Sequence, residues 1–74
     1  MQVFLSEMSE ILECIATPET VMRDQPGWDS MAVLSIIATI EERYGVIVTG
    51  TAIYECSTLK DLYEEVQNAI TART

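Results

Sequence analysis

The chain has 74 residues, 49% of them hydrophobic, and a formal net charge of −8 from 12 acids against 4 bases. That describes one small domain, residues 1–74, near the lower size limit for a core that folds unaided and too apolar for a disordered tail. So few cations exclude nucleic-acid phosphates and anionic membrane surfaces as partners, and leave basic protein surfaces as the expectation. The same charge also serves solubility, and charge alone does not separate the two roles.

Met1–Leu5 has no basic flank and Ser6-Glu7 follow at once, which is not the pattern of a signal peptide. The longest apolar run, Met31 to Ile40, is ten residues, too short to span a bilayer. A cytoplasmic protein is the expectation.

The first predicted helix runs from Val3 to Ile15. Phe4, Met8, Ile11, Leu12 and Ile15 recur at helical spacing with Leu5 beside them, while Glu7, Glu10 and Glu13 lie opposite. Ala16 to Trp28 breaks the pattern with turn chemistry, Thr17-Pro18-Glu19 and Gln25-Pro26-Gly27, and reads as a connection across the domain. Val21 and Met22 are expected to tuck onto the core, and Trp28 is too large to stand wholly exposed.

From Ser30 to Tyr44 the alternation Ala32, Leu34, Ile36, Ala38, Ile40 imitates a strand. Length decides for helix, since fifteen uninterrupted residues far exceed a usual strand of about six. Asp29-Ser30 at the start and Gly45 at the end are helix punctuation. One stripe, Val33, Ile36, Ile37, Ile40 and Tyr44, faces the core. A second, Met31, Leu34 and Ala38, is either packed under the connection or partly exposed as a docking surface flanked by Glu41 and Glu42.

Val46 to Gly50 reads as an extended link, and Thr51 to Cys56 as one or two helical turns using Ile53 and Tyr54. Ser57-Thr58, with Asp61 three residues after Thr58, caps a last helix. Leu59, Leu62, Tyr63, Val66 and Ile70 form its buried side, and Ala72 to Thr74 should fray. The predicted fold is all-α, a small four-helix bundle of three main helices and a short one.

Elimination narrows the chemistry. Without histidine neither a Ser-His-Asp nor a Cys-His arrangement exists, and Cys14 and Cys56 are too few and too far apart for a zinc site. Both cysteines read as small buried apolar residues, although the sequence does not exclude a bridge between them. No Gly-rich phosphate loop or calcium loop occurs, and no metal site or catalysis is expected. What stands out is a turn, an aromatic, and then a serine at a helix start. There, unpaired N–H groups and the dipole favour a phosphate carried on the hydroxyl. The plainer reading is that Asp-Ser merely caps the helix.

The ordered set Asp29-Ser30-Met31, then Glu41-Glu42-Arg43-Tyr44-Gly45, Val48 and Cys56-Ser57-Thr58-Leu59 resembles the acyl and peptidyl carrier proteins over nearly the whole chain. The resemblance implies 4′-phosphopantetheine esterified to Ser30, with Asp29 helping a transferase hold its metal ion. Met31, Leu34, Ala38, Glu41 and Glu42 fall where such carriers meet partner enzymes. It implies a free-standing, monomeric carrier of an acyl or aminoacyl thioester. Its partners would be a phosphopantetheinyl transferase, an acyl or aminoacyl ligase or acyltransferase, and a condensing or transfer enzyme. Met31 replaces the family's usual leucine, keeping bulk and apolarity, and the connection before Asp29 is a few residues short. Ala32 and Ser35 stand where carriers of fatty-acid synthesis often place acids, and Thr49 to Cys56 holds only Glu55. These departures point to a dedicated biosynthetic pathway rather than housekeeping fatty-acid synthesis. The competing expectation is an unmodified acidic interaction module in which Ser30 is only a cap.

Overall fold

The computed structural model describes residues 1–73 and is all-helical, with the order α1 (Gln2–Leu12), α2 (Ser30–Tyr44), α3 (Gly50–Glu55) and α4 (Leu59–Arg73). The expected bundle of three main helices and a short one is the one observed. Phe4, Met8 and Leu12 on α1, Ile36 and Ile40 on α2, Ile53 on α3, and Leu59, Leu62 and Val66 on α4 are all sealed from solvent. They recur every three or four residues, so each helix turns one apolar face inward. Among the described residues no polar or charged side chain is buried.

Helix α1 stops three residues earlier than its apolar period predicts. Glu13 takes a left-handed conformation, φ 56°, and the N–H groups of Glu13 and Cys14 both donate to the Ser9 carbonyl. The Ser9 hydroxyl then accepts from the Ala16 N–H at 3.0 Å, folding the chain back on the helix. Ile15, expected in the core, is therefore 92% exposed. Cys14, also expected to be buried, is half-buried, while Cys56 is buried and both thiols are free.

The connection contains a 3₁₀ turn, Met22–Asp24, which the turn-rich sequence did not announce. Met22 enters the core as expected. The segment is stitched to the start of α4: Leu59 N–H donates to Thr20 O at 3.0 Å, Lys60 N–H to Pro18 O at 2.9 Å, and Met22 N–H to Ser57 O at 3.1 Å. First-turn N–H groups that a helix leaves unpaired are thereby satisfied by the loop. The predicted cap of α4 is present: Asp61 N–H donates to Thr58 Oγ1 at 3.2 Å, and the Asp61 carboxylate accepts from Thr58 N–H at 3.2 Å and Ser57 N–H at 3.1 Å.

Helix α2 has the predicted bounds, and Gly45 ends it at φ 68° with its N–H on Glu41 O at 2.9 Å. In the link after it Val46 and Val48 are buried and Ile47 is exposed. Gly50, expected in that link, is instead the first residue of α3, capped by Thr49, whose Oγ1 accepts from Ala52 N–H at 3.1 Å. Helix α4 runs through Ala72 to Arg73, and Thr74, the end of the stretch expected to fray, lies outside the described residues.

Candidate functional site

The start of α2 is built by three local devices. Trp28 N–H closes a turn on Gln25 O at 3.1 Å, and Gly27 N–H donates to Leu12 O at 3.0 Å, tying that turn to the end of α1. A Cβ on Gly27 would lie 2.6 Å from Ile11 O and 2.7 Å from the Leu12 carbonyl carbon, so the two backbones meet at a distance that only glycine allows. Asp29 then sits in extended conformation as the N-cap, its carboxylate accepting from Ala32 N–H at 2.7 Å.

The cap is thus Asp29 and not Ser30. Ser30 is the first residue of α2 and exposed, and its hydroxyl makes no hydrogen bond within the described residues. The N–H groups of Ser30 and Met31 likewise have no carbonyl partner, as the opening residues of a helix. A phosphate ester on Ser30 Oγ would meet those N–H groups and the positive end of a 15-residue helix dipole. The site therefore fits a phosphodiester-linked group.

Downstream of Ser30, Met31 is 66% and Leu34 59% exposed, and Ala38, Glu41 and Glu42 are also exposed. At about 100° per residue these five positions fall within an arc of about 100°, on one face that extends roughly 17 Å from Ser30 to Glu41. The two alternatives for the second apolar stripe resolve in favour of exposure. Ala32 does not belong to this face: it is 5% exposed, so its lack of charge reflects burial and not partner choice.

Two residues to which the sequence assigned no part in the site support it, Arg23 in the 3₁₀ turn and Tyr54 on α3. Arg23 Nη2 donates to Tyr54 O at 3.2 Å and Cys56 O at 3.1 Å, and the Tyr54 ring meets Trp28 edge-on, with centroids 5.7 Å apart and planes at 85°. Arg23 is one of only four cations in the chain, which was the available hint. Nothing in the sequence pairs Tyr54 with Trp28.

Chemically the surroundings are quiet. Burial, with the Glu65, Asp61 and Glu55 carboxylates behind it, pushes the Cys56 thiol up to about 11, so it stays protonated and unreactive at neutral pH. Among the described residues no group of three His, Cys, Asp or Glu side chains is placed to hold a metal ion, and no helix is long and apolar enough to cross a membrane. A groove of about 320 Å³ between α3 and α4 is lined by Glu55, Asp61, Glu64 and Glu65 among others; a second, of about 420 Å³, lies beside Ile47 and Ala69. Ser30 lines neither groove.

Residues 2–66 match the model of the family described as the phosphopantetheine attachment site. Over 71 residues, 96% of this chain and 91% of the relative, the sequence is 27% identical to the acyl carrier protein of Treponema pallidum subsp. pallidum. No solved structure matches significantly.

Proposed function

The chain belongs to the phosphopantetheine attachment-site family, the acyl carrier proteins among it, and from that premise we propose that Ser30 is the residue that bears the arm. Family membership makes the protein a carrier with a covalent 4′-phosphopantetheine and not a catalyst. Its partners in general terms are a phosphopantetheinyl transferase and acyl-handling enzymes. The observation that carries the assignment is the division of labour at the helix start: Asp29 caps, which leaves the exposed Ser30 hydroxyl without a structural task. Attachment would transfer the arm from coenzyme A: Ser30 Oγ would lose its proton and bond to the arm's phosphorus as the pyrophosphate P–O bond of coenzyme A breaks and adenosine 3′,5′-bisphosphate leaves. When bound, the arm supplies a terminal thiol that carries cargo as a thioester.

Asp29 in this reading has two tasks, capping α2 and offering its second carboxylate oxygen to the metal ion of the transferase. Met31, Leu34 and Ala38 form the apolar contact with partner enzymes, and Glu41 and Glu42 the charged one. Because Met31, Leu34, Ser35 and Ala38 leave the exposed first half of the helix uncharged, partners grip it through apolar contact. That favours a dedicated pathway over housekeeping fatty-acid synthesis. A single, monomeric carrier domain in the cytoplasm, loaded by an acyl or aminoacyl ligase and unloaded by a condensing or transfer enzyme, completes the proposal.

The test is intact mass after incubation with coenzyme A and a broad-specificity phosphopantetheinyl transferase. The native chain gains one phosphopantetheine, and Ser30→Ala and Ser30→Asp gain none. Ser30→Asp keeps a well-folded helix, because an acid in the first turn suits the dipole. Modification of the Ser30→Ala chain would move the assignment elsewhere. Loading and elongation by fatty-acid-synthesis enzymes at the rate of their own carrier would remove the dedicated-pathway reading.

A further inference from the structure

Tyr54 is gripped twice by the stretch of chain that leads into Ser30. Arg23, in the 3₁₀ turn, holds its carbonyl oxygen at 3.2 Å, and Trp28, two residues before Ser30, packs against its ring at 5.7 Å. Helix α3 has six residues, fewer than a helix needs to hold itself, and Ile53 is the one it buries fully. Ile53 holds it to the core, and Arg23 and Trp28 hold it to the turn before α2. The Tyr54 side chain is not there to fill the core, for the residue is 54% exposed.

On the other side of the same turn, Gly27 N–H is bonded to Leu12 O, so the 25–28 segment is pinned to α1 by its backbone and to α3 by the Trp28 ring. Asp29 follows at once, and its 2.7 Å bond to Ala32 N–H requires the extended conformation in which it leaves that turn. A turn free to swing on the Trp28 side would change how long Asp29 and Ser30 hold this arrangement.

We propose that Tyr54 is a positioning residue for the Ser30 hydroxyl, acting through Trp28 to fix the turn from which α2 starts. The inference rests on Ser30 being the attachment residue. It assigns to α3 a task in presenting the site that is separate from any contact α3 makes with a partner enzyme. Trp28 is the one tryptophan of the chain, so its emission reports on this contact directly.

The experiment measures transfer from coenzyme A by a broad-specificity phosphopantetheinyl transferase to the native chain, Tyr54→Leu, Tyr54→Phe, Trp28→Leu and the Tyr54→Leu/Trp28→Leu double variant. Circular dichroism confirms folding at the assay temperature, and Tyr54→Met replaces Tyr54→Leu if the latter is unstable. Tyr54→Leu is expected to lower kcat roughly two- to tenfold, the range of such an aromatic pair, with KM unchanged and Trp28 emission shifted to the red. Tyr54→Phe restores both, because the contact with Trp28 is between the two rings, and the double variant is no slower than Trp28→Leu alone. Unchanged kcat in Tyr54→Leu, additive losses in the double variant, or Tyr54→Phe as slow as Tyr54→Leu would each overturn the positioning role. Those outcomes leave attachment at Ser30 standing, whereas absence of any mass gain on the native chain removes the ground for both.

Discussion

The Asp29 carboxylate accepts from the Ala32 N–H at 2.7 Å, and that one bond leaves the hydroxyl of Ser30, the first residue of the helix, without a role in the fold. Stability and modification should therefore separate at neighbouring positions. Ser30→Ala is expected to change unfolding free energy by less than about 0.5 kcal/mol, as for an exposed side chain with no partner, while abolishing arm attachment. Asp29→Ala should lose about 1 kcal/mol, the usual cost of an N-cap. Asp29→Asn should keep most of the cap and still slow transfer, since it removes the charge available to a metal ion. Urea titrations and intact-mass time courses of the three variants check both halves. A Ser30→Ala variant as unstable as Asp29→Ala would contradict the division.

Gly27 is the second constraint on the site. A Cβ there would lie 2.6 Å from Ile11 O and 2.7 Å from the Leu12 carbonyl carbon, and neither is a side-chain atom that can swing aside. Gly27→Ala should therefore separate the turn from α1, weaken the Gly27–Leu12 hydrogen bond, and lose roughly 1–3 kcal/mol as an overpacked contact does. In a domain this size that is a fall in Tm of about 4–8 °C per kcal/mol, measurable by circular dichroism. A Tm within a degree or two of the native chain would show that the close approach is not a constraint.

What the sequence made legible here is what neighbours along the chain decide. The bounds of α2 follow from Asp29 at one end and Gly45 at the other, and the α4 cap from Thr58 and Asp61, all local signals. The face bearing Met31, Leu34, Ala38, Glu41 and Glu42 was legible because helical spacing alone places those residues together. Ile15 misled because its spacing continues the α1 stripe. What ends α1 is the left-handed Glu13 and the return of the chain onto Ser9, which periodicity does not contain. The long-range contacts of Arg23, Gly27 and Tyr54 were not legible for a related reason. Each acts on a residue at least 15 positions away (Tyr54, Leu12 and Trp28 respectively), and no rule of spacing links such pairs. Ala32 is buried although the resemblance set it among the partner-facing positions, because spacing along α2 does not say which tertiary neighbours cover a small residue.

The exposed face and the core face of α2 give opposite expectations for substitutions two residues apart. Leu34 is 59% exposed and Ile36 is sealed. Leu34→Glu should leave stability within about 0.5 kcal/mol of the native chain but weaken transfer to or from partner enzymes. Ile36→Ala should lose about 2–5 kcal/mol as a cavity-forming change, and leave partner recognition intact in whatever fraction stays folded. Raising salt should slow association through Glu41 and Glu42, yet leave the Leu34→Glu defect unrepaired. A Leu34→Glu defect that disappears at high salt would mean the new charge, and not the lost apolar contact, is responsible.

Acid should reach the fold through Asp61. Backbone N–H groups of Thr58, then Ser57, hold its carboxyl below the ordinary value of 3.8. A lowered folded-state pKa means that the unfolded chain binds the proton more readily, so the contribution is fully present above the unfolded value. It is lost as pH falls through that value toward the folded one. Asp61→Asn keeps an acceptor oxygen for the cap but no titrating charge. Urea unfolding of the native chain and of Asp61→Asn should therefore show a stability difference that is constant above about pH 5 and narrows below about pH 4. Because α4 starts at this cap and its first-turn N–H groups are bonded to Pro18 and Thr20, hydrogen-exchange protection, taken relative to the intrinsic rate at each pH, should fall first at Leu59 and Lys60 as the pH drops. A difference of the same size across the whole range would assign the cap's contribution to hydrogen-bond geometry alone, and the charge would then have no part in holding α4 in place.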